Sequence, residues 1–276
     1  MFSPEIDSAL LFGLEHAQKL LSGKNVVALT GAGISTSSGI PDYRGEGRVQ
    51  KHPLTFDQFM TSPQNQARYW ARSYVGWHRI NKAEPNAGHQ ALALAEATGA
   101  ISHIITQNVD GLHQKAGSKK VIELHGRLDR VLCTGCGEIL SRAELDGRIH
   151  ALNPDFVELD KVEFSPDGDA EIEPPKNFRV PNCLSCGSHF KPDVVFFGEQ
   201  VPRDRVSFAE QQIQSAEAIL VAGSSLTVNS GLRLVKQAKK AQLPVVIVNL
   251  GETKADSIAD VKLNGSTTTL LQELLR

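Results

Sequence analysis

The chain has 276 residues, 41% hydrophobic and 22% charged, with a formal net charge of −2 and a pI of about 6.5. Those values belong to a folded protein of one large domain, or one large and one small, and they exclude a disordered chain. They also exclude a general electrostatic attraction to nucleic acid or to an acidic membrane.

In chain order, residues 5–22 carry Ile6, Leu10, Leu14, Leu20 and Leu21 at helical spacing, which predicts a helix. Asn25–Thr30 is a short apolar run ending at glycine and reads as a buried strand. Gly31–Gly45 reads as a loop, because Pro41 and its glycines interrupt regular structure. Residues 56–80 read as helical and aromatic, with Trp70, Tyr74 and Trp77 forming a core stripe at i, i+4, i+7. Gly88–Thr98 is Ala-rich and helical. Ile101–Thr106 and Val121–Leu124 read as strands.

Residues 127–192 change character. They hold all four cysteines and six prolines, with little periodicity, and read as a metal-stapled insertion. The regular pattern then resumes: a strand at Asp193–Phe197, a helix at 204–217, a strand at Ala218–Ala222, a helix at 230–241 and a strand at Val245–Asn249. Apolar runs alternating with helical patterns predict a parallel sheet covered on both faces. No stretch is apolar enough to cross a bilayer, and Met1–Asp7 has neither the charge nor the apolar run of a signal peptide. A cytoplasmic protein with no membrane and no nucleic-acid partner is expected.

Three features carry chemistry. Gly31-Ala-Gly-Ile-Ser35 follows the first strand, where glycines let backbone approach a phosphate. Gly223-Ser-Ser225 and Asn249-Leu-Gly251 end two later strands, and parallel sheets bind ligands at such ends. Cys133-Thr-Gly-Cys136 and Cys183-Leu-Ser-Cys186 present four thiolates. That number closes a tetrahedral Zn²⁺ sphere, so one structural ion is expected. His125 follows a strand, near Gln107, Asn108 and Asp110, and an imidazole there suits a general base. Tyr69 and Arg72 stand at i, i+3 on one helix, a spacing that can hold a carboxylate between them.

Taken in this order, the motifs resemble the sirtuins, NAD-dependent protein-lysine deacylases, and most of all their class II branch. The resemblance rests on Gly31–Ser35, Gly39-Ile-Pro-Asp-Tyr-Arg-Gly45, Thr106-Gln-Asn-Val-Asp110, His125-Gly126, both cysteine pairs, Lys191-Pro-Asp-Val-Val-Phe-Phe-Gly-Glu199 and Gly223–Ser225. It covers nearly the whole chain. It implies a Rossmann-like NAD-binding domain (1–46, 90–126 and 193–276). It also implies a small domain made of a helical insertion (47–89) and a zinc module (127–192).

The resemblance further implies that Gly31, Ala32, Gly33, Ile34, Thr36, Asp42, Tyr43 and Arg44 form the NAD loop. Gln107, Asn108, Val109, Asp110 and His125 would hold its ribose and nicotinamide. Gly223, Ser224, Ser225, Asn249, Leu250, Gly251 and Thr267 would hold its phosphate and adenosine half. Val195, Phe196, Phe197 and Gly198, with Val228 and Asn229, would bind an acyl-lysine protein substrate as an added strand. Tyr69 and Arg72 would face the acyl group. Asn108 and His125 would be catalytic. The products would be nicotinamide, free lysine and O-acyl-ADP-ribose. Two other readings stay open at this point: a protein mono-ADP-ribosyltransferase using the same sugar electrophile, and a non-catalytic NAD-sensing or zinc-ribbon module.

Overall fold

A computed structural model of the chain describes residues 8–43, 54–156 and 162–276. In chain order these form α1 (Ser8–Leu21), β1 (Val26–Thr30), α2 (Phe56–Thr61), α3 (Pro63–Lys82), α4 (Ala87–Ala97), β2 (Ile101–Thr106), α5 (Leu112–Lys115), β3 (Val121–Glu123) and β4 (Gly126–Cys133). Then come β5 (Ile139–Ser141), α6 (Arg142–Leu152), β6 (Phe190–Val194), α7 (Arg203–Ser215), β7 (Ala218–Ala222), α8 (Asn229–Lys240), β8 (Val245–Asn249), β9 (Val261–Asn264) and α9 (Thr267–Leu274).

Among the described residues, six strands form one parallel sheet in the order β3-β2-β1-β7-β8-β9. This is the doubly wound, Rossmann-like arrangement. The chain runs outward one way from β1 to β3 and the other way from β7 to β9, so the order reverses between β1 and β7. Every residue of β1, β7 and β8 is buried, as strands covered on both faces require. Val26, Ala28, Leu220 and Val246 pack on one face beneath α1, α4 and α9. Their neighbours Val27, Leu29, Ile219 and Val245 pack on the other, beneath α7 and α8. The alternation is the two-residue period of a strand.

A second, three-stranded antiparallel sheet runs β5-β4-β6. One apolar cluster joins it to the helices α2 and α3. Trp70, Tyr74, Trp77 and Phe59 from those helices pack against Leu128, Val131, Leu145, Ile149 and Phe190. The aromatic stripe is therefore core, as its spacing predicts. Arg142 of α6 is fully buried within this cluster. It is held by Asp146 at 2.7 Å and Ser73 at 3.0 Å, with its guanidinium over the rings of Trp70 and Trp77. A buried cation needs such partners to offset its lost hydration.

Three sequence expectations change. The strand expected at Asp193–Phe197 lies at Phe190–Val194 and belongs to the small antiparallel sheet, paired with β4. The helix expected over 56–80 is two helices. Thr55 caps the first through a capping box, then Ser62 caps the second, with Pro63 at its first turn. The segment 127–192 is more regular than its composition suggests, since it contains most of β4, all of β5 and α6 and the start of β6.

The reversal point is unusually tight. Gly31 N donates to Ala222 O at 3.1 Å and Gly33 N to Gly223 O at 2.8 Å. Gly223 has φ +64°, and a Cβ there would lie 2.3 Å from Ile34 N. Gly99 has a similar φ of +85° but open space around it. Gly99→Ala is therefore expected to cost only the left-handed conformation, about 1–2 kcal/mol. Gly223→Ala adds the clash, about a further 1–3 kcal/mol. Urea unfolding of both variants checks this, and equal losses would contradict the packing argument.

Candidate active site

The reversal point opens into a cleft of about 1440 Å³. Its walls come from the carboxyl ends of β1, β2, β7 and β8, the approach to α9, and residues 194–199 after β6. Gly31, Ala32, Gly33, Thr36, Asp42 and Tyr43 line one side. Gln107, Asn108, Val109, Asp110 and His125 line the floor. Gly223, Ser224, Ser225, Asn249, Leu250, Gly251 and Thr267 line the far side.

The floor is a continuous polar network. Gln107 Nε2 donates to Ser224 Oγ at 2.8 Å, which ties β2 to β7 across the cleft. Asn108 Nδ2 donates to Gly31 O and to Ser35 Oγ, each at 3.1 Å. Ser35 Oγ in turn donates to Asp110 Oδ2 at 2.7 Å, and Leu112 N donates to Asp110 Oδ1 at 2.9 Å. Burial pushes the Asp110 carboxyl above its usual range, against these hydrogen bonds.

Behind this floor lie two buried imidazoles, His89 and His113, with ring centroids 4.9 Å apart. Thr30 Oγ1 meets His113 Nε2 at 2.9 Å and Ser35 Oγ meets His89 Nε2 at 3.4 Å. Burial lowers both, His89 to about 4 and His113 well below its ordinary value, where the neighbouring His89 adds to the effect. Both are therefore neutral spacers.

His125 sits on the turn between β3 and β4. Its Nδ1 lies 3.0 Å from Gln107 O. A carbonyl only accepts, so Nδ1 carries the proton and Nε2 keeps its lone pair. Nε2 lies 2.8 Å from Ser230 Oγ. Burial lowers the pKa of His125, Arg205 lowers it further, and the Gln107 hydrogen bond opposes them. A neutral imidazole with a directed lone pair can accept a proton near neutral pH.

Residues 194–199 are fixed from beneath. Buried Lys191 donates to Val194 O at 2.8 Å and pairs with Glu199 at 3.2 Å, and Phe196 N donates to Glu199 at 2.9 Å. Val195 N donates to His125 O at 2.9 Å. Phe56 N donates to Phe197 O at 2.9 Å. Phe196 is buried, stacks on Phe59 and meets Tyr69 edge-on, whereas Phe197 is 41% exposed. Val195, Phe196, Phe197, Gly198, Val228, Asn229 and Tyr69 all line the cleft.

Two expected site residues lie elsewhere. Ile34 is fully buried in the apolar core rather than on the cleft wall, because its turn packs inward beneath Gly223. Arg72 is not among the lining residues. Its Nε donates to Ala170 O at 2.7 Å and meets Asp169 at 3.0 Å, which anchors the 164–170 hairpin instead of a ligand carboxylate. Arg44 and Gly45 fall outside the described residues. Cleft-lining residues not expected include Ser35, Asp167, Ser230, Asn264 and Gly265. Asn264 and Gly265 end β9, a strand too short to be recognised by periodicity.

The four cysteine sulfurs lie within 4.8 Å of one another, with Cys133–Cys186 at 3.4 Å and Cys136–Cys183 at 3.7 Å. Sulfurs placed about 2.3 Å from Zn²⁺ at tetrahedral corners stand about 3.8 Å apart. The four cysteines are free thiols rather than disulfide partners, so the site fits one zinc ion with its coordination sphere filled by protein.

Residues 31–230 match the Sir2 family. A Mycobacterium avium protein named NAD-dependent protein deacetylase 1 is 48% identical over 91% of this chain and 91% of its own length. The human mitochondrial NAD-dependent protein lipoamidase sirtuin-4 is 43% identical over 98% of this chain and 87% of its own. A Sir2 structure solved with a p53 peptide and NAD⁺ superposes with a TM-score of 0.77 at 34% identity, covering 95% of this chain and 96% of that one.

Two predictions follow from the site's geometry. Cys183→Ser should lose the ion by metal analysis, and Trp70 and Trp77, the chain's two tryptophans, should report the loosened small core by fluorescence. An unchanged spectrum in the metal-free variant would contradict the coupling. For His89 the folded pKa is depressed, so its stabilising contribution is complete above the unfolded value of about 6.5. That contribution is lost as pH falls toward 4, amounting to about 3 kcal/mol. Stability of His89→Gln should accordingly fall less steeply than wild type over that window. Parallel pH profiles would count against it.

Proposed function

The chain belongs to the Sir2 family, and from that premise we propose how its cleft divides the work. The protein is an NAD-dependent protein-lysine deacylase that holds one structural zinc ion. NAD supplies both the leaving group and the sugar that receives the acyl group. The chain's own residues therefore need only bind, orient and move protons.

In this reading the glycine-lined wall (Gly31, Ala32, Gly33, Gly223, Ser224) takes the diphosphate. The β8 end (Asn249, Leu250, Gly251) and Thr267 take the adenosine. Asn108 and Asp110 face the nicotinamide and its ribose. The apolar residues Ile40, Leu54, Val109, Tyr69 and Phe196 form the acyl pocket. The substrate backbone lies between residues 195–198 and 228–229. Arg72 steadies the 164–170 hairpin, so nothing in its contacts favours an acidic acyl group. Among the described residues, the zinc module with α2 and α3 forms one lobe, and the parallel sheet with its covering helices forms the other. A cytoplasmic site of action agrees with four reduced thiols held for metal, and the net charge of −2 agrees with no nucleic-acid partner.

The single observation that carries this reading is the His125 ring. It sits at the cleft floor with Nδ1 on a carbonyl and Nε2 as the acceptor, met by Ser230 Oγ at 2.8 Å. His125 acts as the base that removes a proton from the sugar hydroxyl during acyl transfer. His125→Ala is expected to lower acyl-lysine turnover by about 10²–10⁴-fold, with folding and zinc content unchanged. Turnover near wild type in a folded variant would remove the role.

A further inference from the structure

The contact between Nε2 of His125 and Ser230 Oγ, at 2.8 Å, has a direction. Nδ1 is committed as a donor to Gln107 O, so a neutral ring presents only a lone pair at Nε2. Ser230 must then be the donor. Ser230 is the second residue of α8 and lines the same cleft. Its position is set with some effort. The connection from β7 passes through Leu226, a buried non-glycine residue at φ +55°, whose N–H is held by Ser224 Oγ at 3.2 Å. Gly231, the next residue along α8, has no side chain because Gln107 fills that space, only 2.6 Å from where a Cβ would stand. Ser224 and Gln107 also hydrogen-bond each other. The loop that delivers Ser230 and the carbonyl that holds Nδ1 are thus parts of one rigid unit.

We propose that Ser230 is a positioning residue for the base, its hydroxyl fixing the His125 ring in the orientation that keeps Nε2 aimed into the cleft. The proposal rests on His125 being the base. A ring flip costs both hydrogen bonds, whereas the alternative tautomer costs only the one to Gln107 O, because a hydroxyl can accept as well as donate. Ser230 passes its hydrogen bond to the incoming sugar hydroxyl by rotating its own O–H, a motion that needs no backbone shift. Of the charged groups on the elements packed around the ring, Arg205 of α7 lowers the His125 pKa while it pairs with Asp193 of β6 at 2.7 Å. Glu123 of β3 is shared by Arg127 and Arg130. Asp110 is bound to Ser35 and Leu112.

The test uses the zinc-loaded chain without substrates, with imidazole ¹⁵N shifts of His125 measured by NMR at pH 8, where the ring is neutral. Wild type should show the Nδ1–H tautomer, with Nε2 shifted upfield by the Ser230 hydrogen bond. Ser230→Ala should keep that tautomer, which Gln107 O holds, but move the Nε2 shift downfield and lower kcat for acyl transfer by about 3–10-fold. Ser230→Thr should restore both. An unchanged Nε2 shift in Ser230→Ala would overturn the proposal, as would a threonine variant that fails to restore it. If the ¹⁵N shifts move as expected but His125→Ala keeps its turnover, the assignment of the base fails and the positioning contact itself stands.

Discussion

The close approach of two backbone segments at the sheet's reversal point is the constraint on which the rest depends. Residues 31–33 and 222–223 meet through hydrogen bonds of 3.1 and 2.8 Å, at a separation that excludes a Cβ on Gly33 or Gly223. Two strand ends drawn together so closely leave their amides and small side chains facing one shared space. A doubly wound sheet always opens a crevice at this point. The polar groups that line it do so because they end β1, β2, β7 and β8, not because they are near in sequence.

Beneath that contact runs a buried polar column from Thr30 through His113 and His89 to Ser35, and from Ser35 to Asn108 and Asp110. Polar groups in a dry interior cost free energy unless they find partners, and Thr30, His89, Ser35, Asn108 and Asp110 each have one here, whereas His113 Nδ1 does not. The column therefore admits few alternative arrangements and fixes Asn108 and Asp110 from behind. The small core supplies the opposite wall in a different way. Its helices and zinc module share one apolar cluster, and its edge carries Phe196 and Tyr69 to the cleft. The Lys191–Glu199 pair, with Lys191 also on Val194 O and Glu199 on Phe196 N, fixes the turn that follows β6. One wall is set by hydrogen bonds, the other by packing and metal.

Much of this was legible in the chain itself. The buried strands announced themselves as apolar runs ending in glycine or polar residues, and the cysteine spacing announced a closed metal site. What escaped had physical causes. Ser35, His89, His113 and Ser230 act through contacts made across tens of residues, and a serine or histidine carries no periodic signature of burial. Strand β9 has four residues and only two of them buried, too few for alternation to register. Residues 195–197 are as apolar as a strand, yet they lie outside the sheet because the Lys191–Glu199 pair and Phe56 hold them at the cleft. Arg72 has the spacing of a carboxylate clamp, but spacing along a helix does not reveal that Asp169 arrives from a distant hairpin to occupy it.

The central claim is that this cleft transfers an acyl group from lysine to the sugar left by NAD, with His125 as base. The most direct measurement is the stoichiometry of products. Purified protein is incubated with NAD and a peptide carrying acetyl-, long-chain-, lipoyl- or glutaryl-lysine, and both peptide and nucleotide are followed by mass spectrometry. The account predicts free lysine, nicotinamide and O-acyl-ADP-ribose in equal amounts for at least one acyl group. Nicotinamide released together with ADP-ribose attached to the peptide, and no O-acyl-ADP-ribose for any acyl group, would contradict it.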